Sequence, residues 1–558
     1  MRYWNRAKLN NANAPITELI LDYNNIPKEE REMFLKGTLK DLPRMDKVLN
    51  ADKFIERVEK AIDNKEKICF YGDYDVDGMT GSVVATLMVE ELGGVSYIFT
   101  NDKKREGYGI NPESLNRLQT LPEFEGTSLI ITIDNGIAAN DGIERAKEMG
   151  LEVIVTDHHE KTVENKAEIV VDLKQEGDDY PFRELCGCGV IWKLLRELFI
   201  RRGIGDEANK YLDLVALGTV VDMVPLLGEN RIIVKEGLKV MNELKRPVFN
   251  AFHTFLAIDK FDENDLAFQI GPSLNSQTRI KGVTDTAIKA LMTDDLNQAS
   301  MLVLELIEVN KKRKDLLKSQ EDLAFQLIEE RKLYEDNVIL LTDERFNSGV
   351  VGLVAGKVAK YYARPTIVGE IRGKMAICSA RTYDNFDLFS LLYRNNELFL
   401  SFGGHRAAAG FSFLQDDYEK IRKMLLEDPE VRNYTPTKNI NYLKSLKPED
   451  VTFKLIKEID ALAPYGQQFT RPLFKIENIE CYKESVDFIG QNKNHVKFKD
   501  KDLTVVGWGI RNHMEKISKD PVNTYSVIVN LSINSFRGRD SLQAIITEDN
   551  IVTNALRK

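Results

Sequence analysis

Cysteine is scarce in this chain, which has 5 among 558 residues, and the five are scattered: Cys69, Cys186, Cys188, Cys378 and Cys481. An odd and dispersed set excludes a disulfide framework and is typical of proteins in a reducing compartment. One residue separates Cys186 from Cys188, which is not the spacing of a zinc knuckle. We therefore expect a cytoplasmic protein without a disulfide framework.

Long hydrophobic runs are absent as well. No apolar stretch approaches the ~18 residues of a membrane-spanning helix, so the sequence predicts no membrane partner. The first residues, MRYWNRAKLNNANAP, lack the apolar segment of a secretory signal. Positive charge is in the minority, and the net charge is −10. That balance weakly disfavours long-range attraction to nucleic acid, although cations bound in a carboxylate-rich metal site would offset it.

The length of the chain exceeds what one hydrophobic core supports, and roughly three to four domains are expected. Residues up to about 60 are polar with helical spacing, which predicts a cap on the first domain. From Ile68 to Asp172, short apolar runs alternate with segments of helical spacing. Strands that alternate with helices predict a mostly parallel sheet with right-handed crossovers.

The segment KICFYGDYDVDGMTG begins this pattern. A predicted buried strand, Ile68–Tyr71, runs into three alternating carboxylates, Asp73, Asp75 and Asp77. Ligands bind beyond the carboxyl ends of such strands, and three carboxylates within five residues repel one another unless a cation lies between them. A divalent metal ion, which prefers oxygen ligands, is the obvious candidate. A solvated acidic turn is the alternative interpretation.

Further acidic and imidazole side chains follow later strands of the pattern. Asp134 ends one strand, and the triplet Asp157, His158 and His159 follows the next. Asp222 interrupts an otherwise apolar, helix-like segment. A lone buried aspartate more often caps a helix or has a structural role as a hydrogen-bonding residue. Acidic and imidazole residues at consecutive strand ends together predict metal chemistry.

The motifs GDYDVDG, EGYG, TIDNG, TDHHE and ALGTVVDMVPL, in this order, resemble the DHH phosphoesterase superfamily, which is named after the triplet at 157–159. Within it, the chain is similar to the RecJ family, since GPSLNSQTRI, SGVVGLVAGKVAKYYARPT, CSAR and GGHRAAAGF follow. The resemblance covers roughly residues 67–411. It implies a metal-dependent exonuclease that hydrolyses single-stranded DNA 5′→3′ to mononucleotides in repair, recombination or replication.

The predicted fold class is α/β, in five parts. They are an N-terminal helical cap (1–60), a parallel-sheet DHH catalytic domain (61–235), a helical connector (236–335), a smaller α/β DHHA1 domain (336–440) and an OB-like β-barrel domain (441–558). Apolar residues at helical spacing within 296–334 predict one or two long connecting helices. Short strands separated by Gly, Asn and Asp predict the final β domain, and the resemblance implies that it is OB-like.

The resemblance implies two divalent ions, Mn²⁺ or Mg²⁺, and these ligands: Asp73, Asp75, Asp77, Asp134, His158 and Asp222. One ion takes Asp75 and Asp134 with Asp73 close by, and the other takes the remaining residues together with Asp134, which therefore bridges. A carboxylate and imidazole set of this kind suits either ion. His159 is implied to approach the scissile phosphate, and Asp157 to orient a histidine.

The resemblance also implies contacts to the DNA strand from Lys103, Tyr108, Arg279, Ser379, Arg381 and His405. Arg279, Ser379 and Arg381 match a pocket for the terminal 5′ phosphate, and Tyr108 matches a ring that packs on a nucleobase. The residues alone support part of this, because Ser379 and Arg381 at a strand end can donate to a phosphate. We expect Gly403–His405 to form a turn that allows close backbone approach.

Three departures from the family pattern bear on end binding. Lys103 stands where the family usually has arginine, which keeps the charge and loses the bidentate fork. Phe346 and Asn347 replace a Trp-His pair, and Ser273 and Gln277 replace an arginine and a small residue. The expected metal ligands are all present, so the departures concern the preference for a 5′-phosphorylated end and the affinity.

Other candidate contacts rest on weaker signals. The basic cluster Lys311-Lys312-Arg313-Lys314 is either a solvated face or a path for DNA phosphates. In the last domain the candidates for strand binding are Phe498, Trp508, Phe536, Arg537 and Arg539, although packing and surface roles are commoner for such residues.

We expect single-stranded DNA as the main partner, with a single-strand-binding protein or a helicase as further candidates, and a monomer. One alternative is a DHH-family oligonucleotide phosphodiesterase or nanoRNase. Such chains usually stop after the second domain, so the additional β region favours a long strand. A second alternative is a non-catalytic single-strand-binding replication scaffold, which the complete set of carboxylates and histidines disfavours. A family II pyrophosphatase is a weaker alternative, since it lacks the flanking segments.

Overall fold

The computed structural model describes residues 2–7, 13–160, 163–383, 386–406, 408–435, 438–481, 485–490, 493–511, 514, 524–536, 538–546 and 553–554. Three sheets with their helices make up most of this structure: a parallel sheet, a mixed sheet and a larger sheet near the carboxyl terminus. Within the described part of the chain, no helix combines the length and the apolar character needed to span a membrane.

The N-terminal region contributes to two different parts of the molecule. Its elements are β1 (Arg2–Arg6), α1 (Ile16–Tyr23), α2 (Arg31–Lys36) and α3 (Ala51–Asp63). The buried triplet Leu19, Ile20 and Leu21 packs into the core of the last domain, whereas α3 packs on the first domain. The structure therefore differs from the expected cap on the first domain, because an apolar face on α1 makes its contacts far along the chain.

The first domain is built on a five-stranded parallel sheet. Its elements are β2 (Lys67–Gly72), α4 (Val76–Glu91), β3 (Val95–Thr100), α5 (Pro112–Leu118), β4 (Thr127–Ile133), α6 (Asn140–Glu148), β5 (Glu152–Thr156), β6 (Ile169–Val171), α7 (Gly187–Arg201) and α8 (Leu212–Val221). The central strands are apolar throughout because helices cover both faces of the sheet.

The strand order β3-β2-β4-β5-β6 determines where a site can form. The chain runs from β2 to one side, into β3, and then returns to the other side of β2 as β4. This reversal leaves a crevice beyond the carboxyl ends of β2 and β4, which is the usual binding position in open α/β sheets. Asp73 follows β2, and Asp134 follows β4. The topology therefore brings two separate acidic segments to one crevice.

Most of the predicted connector belongs to the first domain, and one long helix links this domain to the second. It comprises α9 (Gly228–Met241), α10 (Pro247–Leu256), α11 (Glu263–Asp265), α12 (Gly271–Lys281), α13 (Asp285–Met292) and α14 (Leu296–Glu330). Helices α9 to α13 and the start of α14 pack into the core of the first domain. The far end of α14 packs into the second domain. A helix of 35 residues spans about 52 Å, so α14 alone joins the two.

The second domain contains β7 (Ile339–Asp343), α15 (Val351–Tyr362), β8 (Thr366–Arg372), β9 (Met375–Arg381), α16 (Leu388–Tyr393), β10 (Ser401–His405), β11 (Ala408–Leu414), α17 (Tyr418–Glu427) and α18 (Pro429–Arg432). The predicted turn at Gly403–His405 is wrong, because these residues form β10 and pair with β11. A Cβ at Gly404 would lie 2.5 Å from the Ala408 carbonyl oxygen, so the strand pairing itself requires glycine there.

The last domain is built from short strands, as expected. Its elements are β12 (Lys438–Tyr442), β13 (Lys444–Leu446), α19 (Phe453–Asp460), β14 (Phe474–Glu480), β15 (Asp487–Ile489), β16 (His495–Asp500), β17 (Leu503–Gly507), β18 (Thr524–Phe536), β19 (Arg539–Ile546) and β20 (Thr553–Asn554). The sheet has the order β13-β14-β18-β19-β17-β16-β15, and β20 pairs with β18. Strand β12 pairs in parallel with β1 instead.

Candidate active site

Three carboxylates lie where β2 passes into α4. Asp73 is 4% exposed, Asp77 is 1% exposed, and Asp75 lies between them as the residue that caps α4. The Asp75 Oδ1 atom accepts hydrogen bonds from the backbone N–H groups of Asp77 and Gly78, at 3.0 and 3.2 Å. The cap fixes the Asp75 carboxylate at the start of α4, between Asp73 after the strand and Asp77 in the first turn of the helix.

The Asp77 carboxylate lies against the first turn of α7. Its two oxygens accept hydrogen bonds from the backbone N–H groups of Gly187 (2.6 Å) and Cys188 (2.8 Å). Unpaired N–H groups and the helix dipole stabilise an anion at this position. A Cβ at Gly187 would lie 2.6 Å from the Asp134 Cβ, so glycine is needed for the helix to approach both carboxylates.

His158 lies among three carboxylates from three different segments. Its Nε2 atom is 3.0 Å from Asp134 Oδ1, 3.8 Å from Asp77 Oδ2 and 3.7 Å from Asp222 Oδ2. Asp134 has a φ of +62°, a left-handed conformation that is uncommon for an aspartate. Backbone strain of this kind is concentrated at functional sites, where the surrounding structure holds the residue in place.

The pKa values in this cluster follow from burial and mutual repulsion. Burial and the Asp75 charge raise the pKa of Asp77 to about 6, and burial and the Asp77 charge raise that of Asp222 to about 9. The same two causes raise the pKa values of Asp73 and Asp134 well above the ordinary range. Burial lowers the pKa of His158 to about 3, which keeps the imidazole neutral.

The donor set fits divalent metal ions. Ligand atoms lie within 4.8 Å of one another in three groups: Asp73, Asp75 and Asp134; Asp77, His158 and Asp222; and Asp134, His158 and His159. The buried Oδ1 atom of Asp73 has no hydrogen-bond partner among the described residues. A bound cation would offset the repulsion between the carboxylates and give the unpartnered buried oxygen a partner. A neutral imidazole is the form of histidine that binds a metal ion. The first group has the residues of the first predicted set, and the second has those of the other predicted set except Asp134, which lies 3.0 Å from His158.

Asp157 orients His159 rather than His158. Its Oδ1 atom is 2.7 Å from the His159 Nδ1 atom, and its Oδ2 atom accepts a hydrogen bond from the Ile137 backbone N–H group at 2.9 Å. Burial lowers the pKa of His159, but the hydrogen bond and charge of Asp157 outweigh this effect and raise it. The His159 side chain is 49% exposed, so its ring is accessible from the crevice.

The predicted end-binding residues Lys103, Arg279, Ser379 and Arg381 lie near one another, although they come from both domains. The Lys103 backbone N–H group donates to the Gly282 carbonyl oxygen at the end of α12, the helix that carries Arg279. A Cβ at Gly352 in α15 would lie 2.8 Å from Arg381 Nη2 and 3.4 Å from Ser379 Oγ. The loop before α15 also contacts the Arg279 carbonyl oxygen at Gly349.

Positive charge in this pocket has no acidic partner among the described residues. No described carboxylate oxygen lies within 4.0 Å of Lys103, Arg279, Arg313 or Arg381. Burial lowers the pKa of Lys103, of Arg313 and of Arg381, and the Arg279 charge lowers each further. The charges of Asp73 and Asp75 act in the opposite direction on Lys103, and that of Asp75 does so on Arg279. Neighbouring cations that repel one another form a site for an anion, and phosphate is the anion that suits guanidinium groups.

The basic cluster on α14 divides in the structure. Lys311, Lys312 and Lys314 are exposed, whereas Arg313 is 9% exposed and donates from Nε to Asn310 Oδ1 at 2.9 Å. The Asn310 amide donates in turn to Ser273 Oγ at 3.1 Å. Only Arg313 of the four belongs to the cationic pocket. In the sequence, nothing distinguishes Arg313 from the three lysines beside it.

Tyr108 lies at the edge of the metal-ligand cluster. Its hydroxyl donates to the Asp134 carbonyl oxygen at 3.1 Å, while the side chain remains 53% exposed. The ring is therefore held at one end and open on its face, as a stacking surface requires. The His405 side chain lies outside the described residues. The predicted stacking role of Tyr108 stays a prediction.

Asp172 is a buried acid near the site that sequence reasoning passed over. It is 0% exposed, its Oδ2 atom has no described partner, and burial raises its pKa to about 7. Asp157 adds to this shift, which places Asp172 close to the Asp157–His159 pair. The sequence did offer one signal for Asp172: it directly follows strand β6, just as Asp73 and Asp134 directly follow β2 and β4.

In the last domain, the structure separates the candidate strand-binding residues. Phe498 is 4% exposed and lies in the core, so the expectation that it could stack on a base is wrong. Trp508 is 46% exposed and packs edge-on against His495, and Arg539 is exposed at the start of β19. Arg537 and the side chain of Phe536 lie outside the described residues.

Two family models match the chain in the regions just described. The model of the DHH family N-terminal domain matches residues 67–219, which contain the acidic cluster apart from Asp222, the His158–His159 pair and Tyr108. The model of the RecJ OB domain matches residues 444–548. The first match covers the parallel sheet, and the second covers the strands of the last domain.

Individual relatives extend these matches along the chain. The single-stranded-DNA-specific exonuclease RecJ of Bacillus subtilis is 34% identical over 506 residues, which are 88% of this chain and 62% of that protein. The RecJ of Escherichia coli is 29% identical, over 94% of this chain and 93% of that protein. A crystal structure of the exonuclease RecJ bound to manganese superposes with a TM-score of 0.59 at 28% identity, over 71% of this chain and 96% of that one.

Proposed function

Because the chain belongs to the RecJ family of DHH phosphoesterases, we propose that it is a metal-dependent exonuclease that degrades single-stranded DNA 5′→3′ to mononucleotides. The observation that carries the proposal is the presence of two neighbouring sites of opposite charge in one molecule. The acidic cluster suits two divalent cations, and the cationic pocket suits the phosphate at the end of a strand.

Six residues would hold two divalent ions, Mn²⁺ or Mg²⁺: Asp73, Asp75, Asp77, Asp134, His158 and Asp222. When bound, such ions neutralise charge on a phosphoryl group and lower the pKa of a water molecule. Asp134 is placed to serve both ligand groups, because it lies with Asp73 and Asp75 and is 3.0 Å from His158. The relative bound to manganese supports this assignment of the metal.

His159 acts on the scissile phosphate. Asp157 accepts the hydrogen bond from Nδ1, which fixes the tautomer and leaves Nε2 for the substrate. A raised pKa favours the imidazolium form, which donates a hydrogen bond to a phosphate oxygen as negative charge builds up there. His158 stays neutral and serves as a ligand, so the two adjacent histidines have separate tasks.

The cationic pocket accounts for the polarity. Arg279, Ser379 and Arg381 bind the 5′ phosphate, and Lys103 adds a third positive charge. A strand held by its 5′ end presents its first phosphodiester bond to the acidic cluster and His159, so each cut releases one nucleotide. The exposed face of Tyr108 supports the first base by stacking, which works for any sequence.

The last domain and the partners complete the proposal. An OB domain provides a second contact to a single strand, which favours long strands over the short substrates of an oligonucleotide phosphodiesterase. The intact set of ligands disfavours a non-catalytic scaffold. We place the enzyme in the cytoplasm as a monomer, with a single-strand-binding protein or a helicase as the partner that delivers single strands.

The test is digestion of end-labelled strands in the presence of Mn²⁺ or Mg²⁺. Single- and double-stranded DNA carrying a label at either the 5′ or the 3′ end separate polarity from strand preference. We expect a 5′ label on single-stranded DNA to be released first, as a mononucleotide, and no release in a chelator. Release of the 3′ label first, or equal digestion of blunt double-stranded DNA, would overturn the proposal.

A further inference from the structure

Tyr74 lies between the two charged sites. Its chain neighbours Asp73 and Asp75 belong to the acidic cluster, and its carbonyl oxygen accepts a hydrogen bond from Thr278 Oγ1 at 3.0 Å. Thr278 directly precedes Arg279 of the cationic pocket. The Lys103 Nζ atom lies over the Tyr74 ring, 4.6 Å from its centroid. The ring therefore contacts the cationic pocket on one side while its backbone continues into the metal ligands.

The Tyr108 ring lies beside the Tyr74 ring and nearly perpendicular to it. The Tyr74 and Tyr108 rings are 6.1 Å apart between centroids and meet at 84°. The Tyr108 ring is held through its hydroxyl at Asp134. Two nearly perpendicular aromatic walls therefore stand next to the metal ligands. A flat base fits one wall by stacking, which leaves the other wall for the sugar.

The path of the substrate leads past these two rings. If the terminal phosphate binds Arg279 and the next phosphate lies at the acidic cluster, the sugar of the first nucleotide must span the distance between them. Tyr74 lies along that span, since its carbonyl oxygen binds Thr278 next to Arg279 and its chain neighbours are Asp73 and Asp75. Among the residues that the structure describes, its hydroxyl has no hydrogen-bond partner, so the ring is positioned by its backbone and by its faces.

We propose that Tyr74 determines sugar specificity, by packing against the first deoxyribose so closely that a ribose 2′-hydroxyl group is excluded. This inference rests on the proposed function, because it needs a 5′ end held in the cationic pocket. The ring cannot easily retreat, since Lys103 covers one face and Tyr108 stands against it. The 2′-hydroxyl is the group that distinguishes RNA from DNA at a given position.

The size of the effect follows from the kind of contact. A packed wall that rejects one added hydroxyl group discriminates by ~10²-fold, which is less than a site with a dedicated hydrogen bond achieves. Such discrimination concerns the first nucleotide alone. A DNA strand with a single ribonucleotide at its 5′ end is therefore the right probe, because every other contact stays the same.

The experiment compares kcat/KM for a 5′-phosphorylated DNA strand and for the same strand with one 5′-terminal ribonucleotide. We expect the wild type to prefer the all-DNA strand by ~10²-fold, and Tyr74→Ala to prefer it by less than ~10-fold. Tyr74→Phe keeps the wall and should keep the preference. Tyr108→Ala should slow both strands by the same factor, and Tyr361→Ala, which changes an exposed tyrosine of the second domain, should change neither rate.

Two results would overturn the inference: equal wild-type rates on the two strands, or an unchanged preference in Tyr74→Ala. If Tyr74→Ala digests neither strand, binding is measured instead, by fluorescence anisotropy, in Asp134→Asn and in the Tyr74→Ala, Asp134→Asn double variant. For each protein, the affinity for the all-DNA strand is divided by the affinity for the strand with the 5′ ribonucleotide. The inference requires a smaller ratio in the double variant, and an equal ratio would overturn it. A wild type that digests no DNA contradicts the proposed function instead. A wild type that digests DNA and accepts the terminal ribonucleotide contradicts only the role of Tyr74.

Discussion

The acidic cluster and the cationic pocket share one property and differ in all others. Each gathers several charges of one sign, and the charges of the two sites offset one another only in part. The cluster comes from strand ends and helix ends of a single domain, and its backbone is held by α4, α7 and a left-handed Asp134. The pocket is assembled from Lys103, Arg279, Arg313 and Arg381, which come from two domains and the helix between them.

The difference assigns the two sites to different steps. A site within one domain has fixed geometry, as chemistry on a phosphoryl group requires. A site that spans two domains depends on how they are joined, which suits recognition of a strand end. We therefore expect changes in the cluster to abolish hydrolysis, and changes in the pocket to alter end preference while chemistry continues.

The largest effect is expected for Asp134→Asn. This change removes the carboxylate that lies between both ligand groups while it preserves side-chain size. We predict a loss of kcat on the order of 10⁴-fold, the scale seen when one member of an interdependent catalytic set is removed. Affinity for single-stranded DNA, measured by anisotropy, should stay within about twofold. Asp141→Asn, at an exposed position of α6, is the matched control and should retain full activity.

A smaller effect is expected for Arg381→Gln in the pocket. It removes a half-buried cation near Ser379, and we predict a loss of ~10–100-fold in the preference for a 5′-phosphate over a 5′-hydroxyl end, since hydrogen bonds to charged groups contribute about 1.5–3 kcal/mol. Rates on both ends measure this preference. Arg372→Gln is the control, because that arginine is exposed and already paired with Glu370. An unchanged preference in Arg381→Gln would move the end pocket elsewhere.

Repulsion in the cluster has a consequence for stability without metal ions. Burial and Asp77 raise the pKa of Asp222 to about 9, so the folded state favours the protonated carboxyl group. The stability that this provides is present below pH ~4 and is lost as the pH rises towards about 9. Asp222→Asn should therefore raise the Tm of the metal-free protein by a few degrees at pH 8 and leave it unchanged at pH 4, since ~1 kcal/mol shifts Tm by about 2–4 °C.

Differential scanning calorimetry in chelator, at both pH values, measures this shift. Asp213→Asn is an instructive contrast, because Asp213 is buried but bound to Arg246, and its loss should lower Tm at either pH. A lower Tm for Asp222→Asn at pH 8 would show that its carboxylate is stabilised rather than repelled.

The smallest effect is expected for Lys103→Arg. Lys103 already supplies a charge over the Tyr74 ring, and an arginine would add a bidentate fork at the same place. We predict a change of less than about fivefold in KM for 5′-phosphorylated strands, towards tighter binding, because the charge itself is unchanged. Lys103→Met removes the charge and should raise KM instead. If both variants behave alike, Lys103 does not contact the strand.

Much of the acidic cluster was predictable from the sequence because Asp73, Asp134 and Asp222 directly follow an apolar strand or helix. Parallel strands bring their carboxyl ends to one edge, so Asp73 and Asp134 must be close even though 61 positions separate them in the sequence. The pocket gave no such local signal. Arg279 and Arg381 lie on different elements whose proximity depends on how α14 places the second domain, and only the family resemblance pointed to them.

Other differences have local causes. Gly403 and Gly404 resemble a turn in sequence, but both lie in β10, and the absence of a side chain at Gly404 allows β10 and β11 to pair closely. Phe498 alternates with lysines along β16, so its burial follows from the strand period, which also places Lys497 and Lys499 outside. The contact of α1 with the last domain carried no signal, because an apolar helix face does not specify its partner.

The most direct test of the whole account is the number of Mn²⁺ ions bound by the purified chain, measured by titration with electron paramagnetic resonance detection of free Mn²⁺. We predict two ions for each wild-type chain and a loss of both high-affinity sites in Asp134→Asn, together with the loss of 5′→3′ hydrolysis. Hydrolysis that persists at the wild-type rate when no Mn²⁺ or Mg²⁺ is bound would contradict the account.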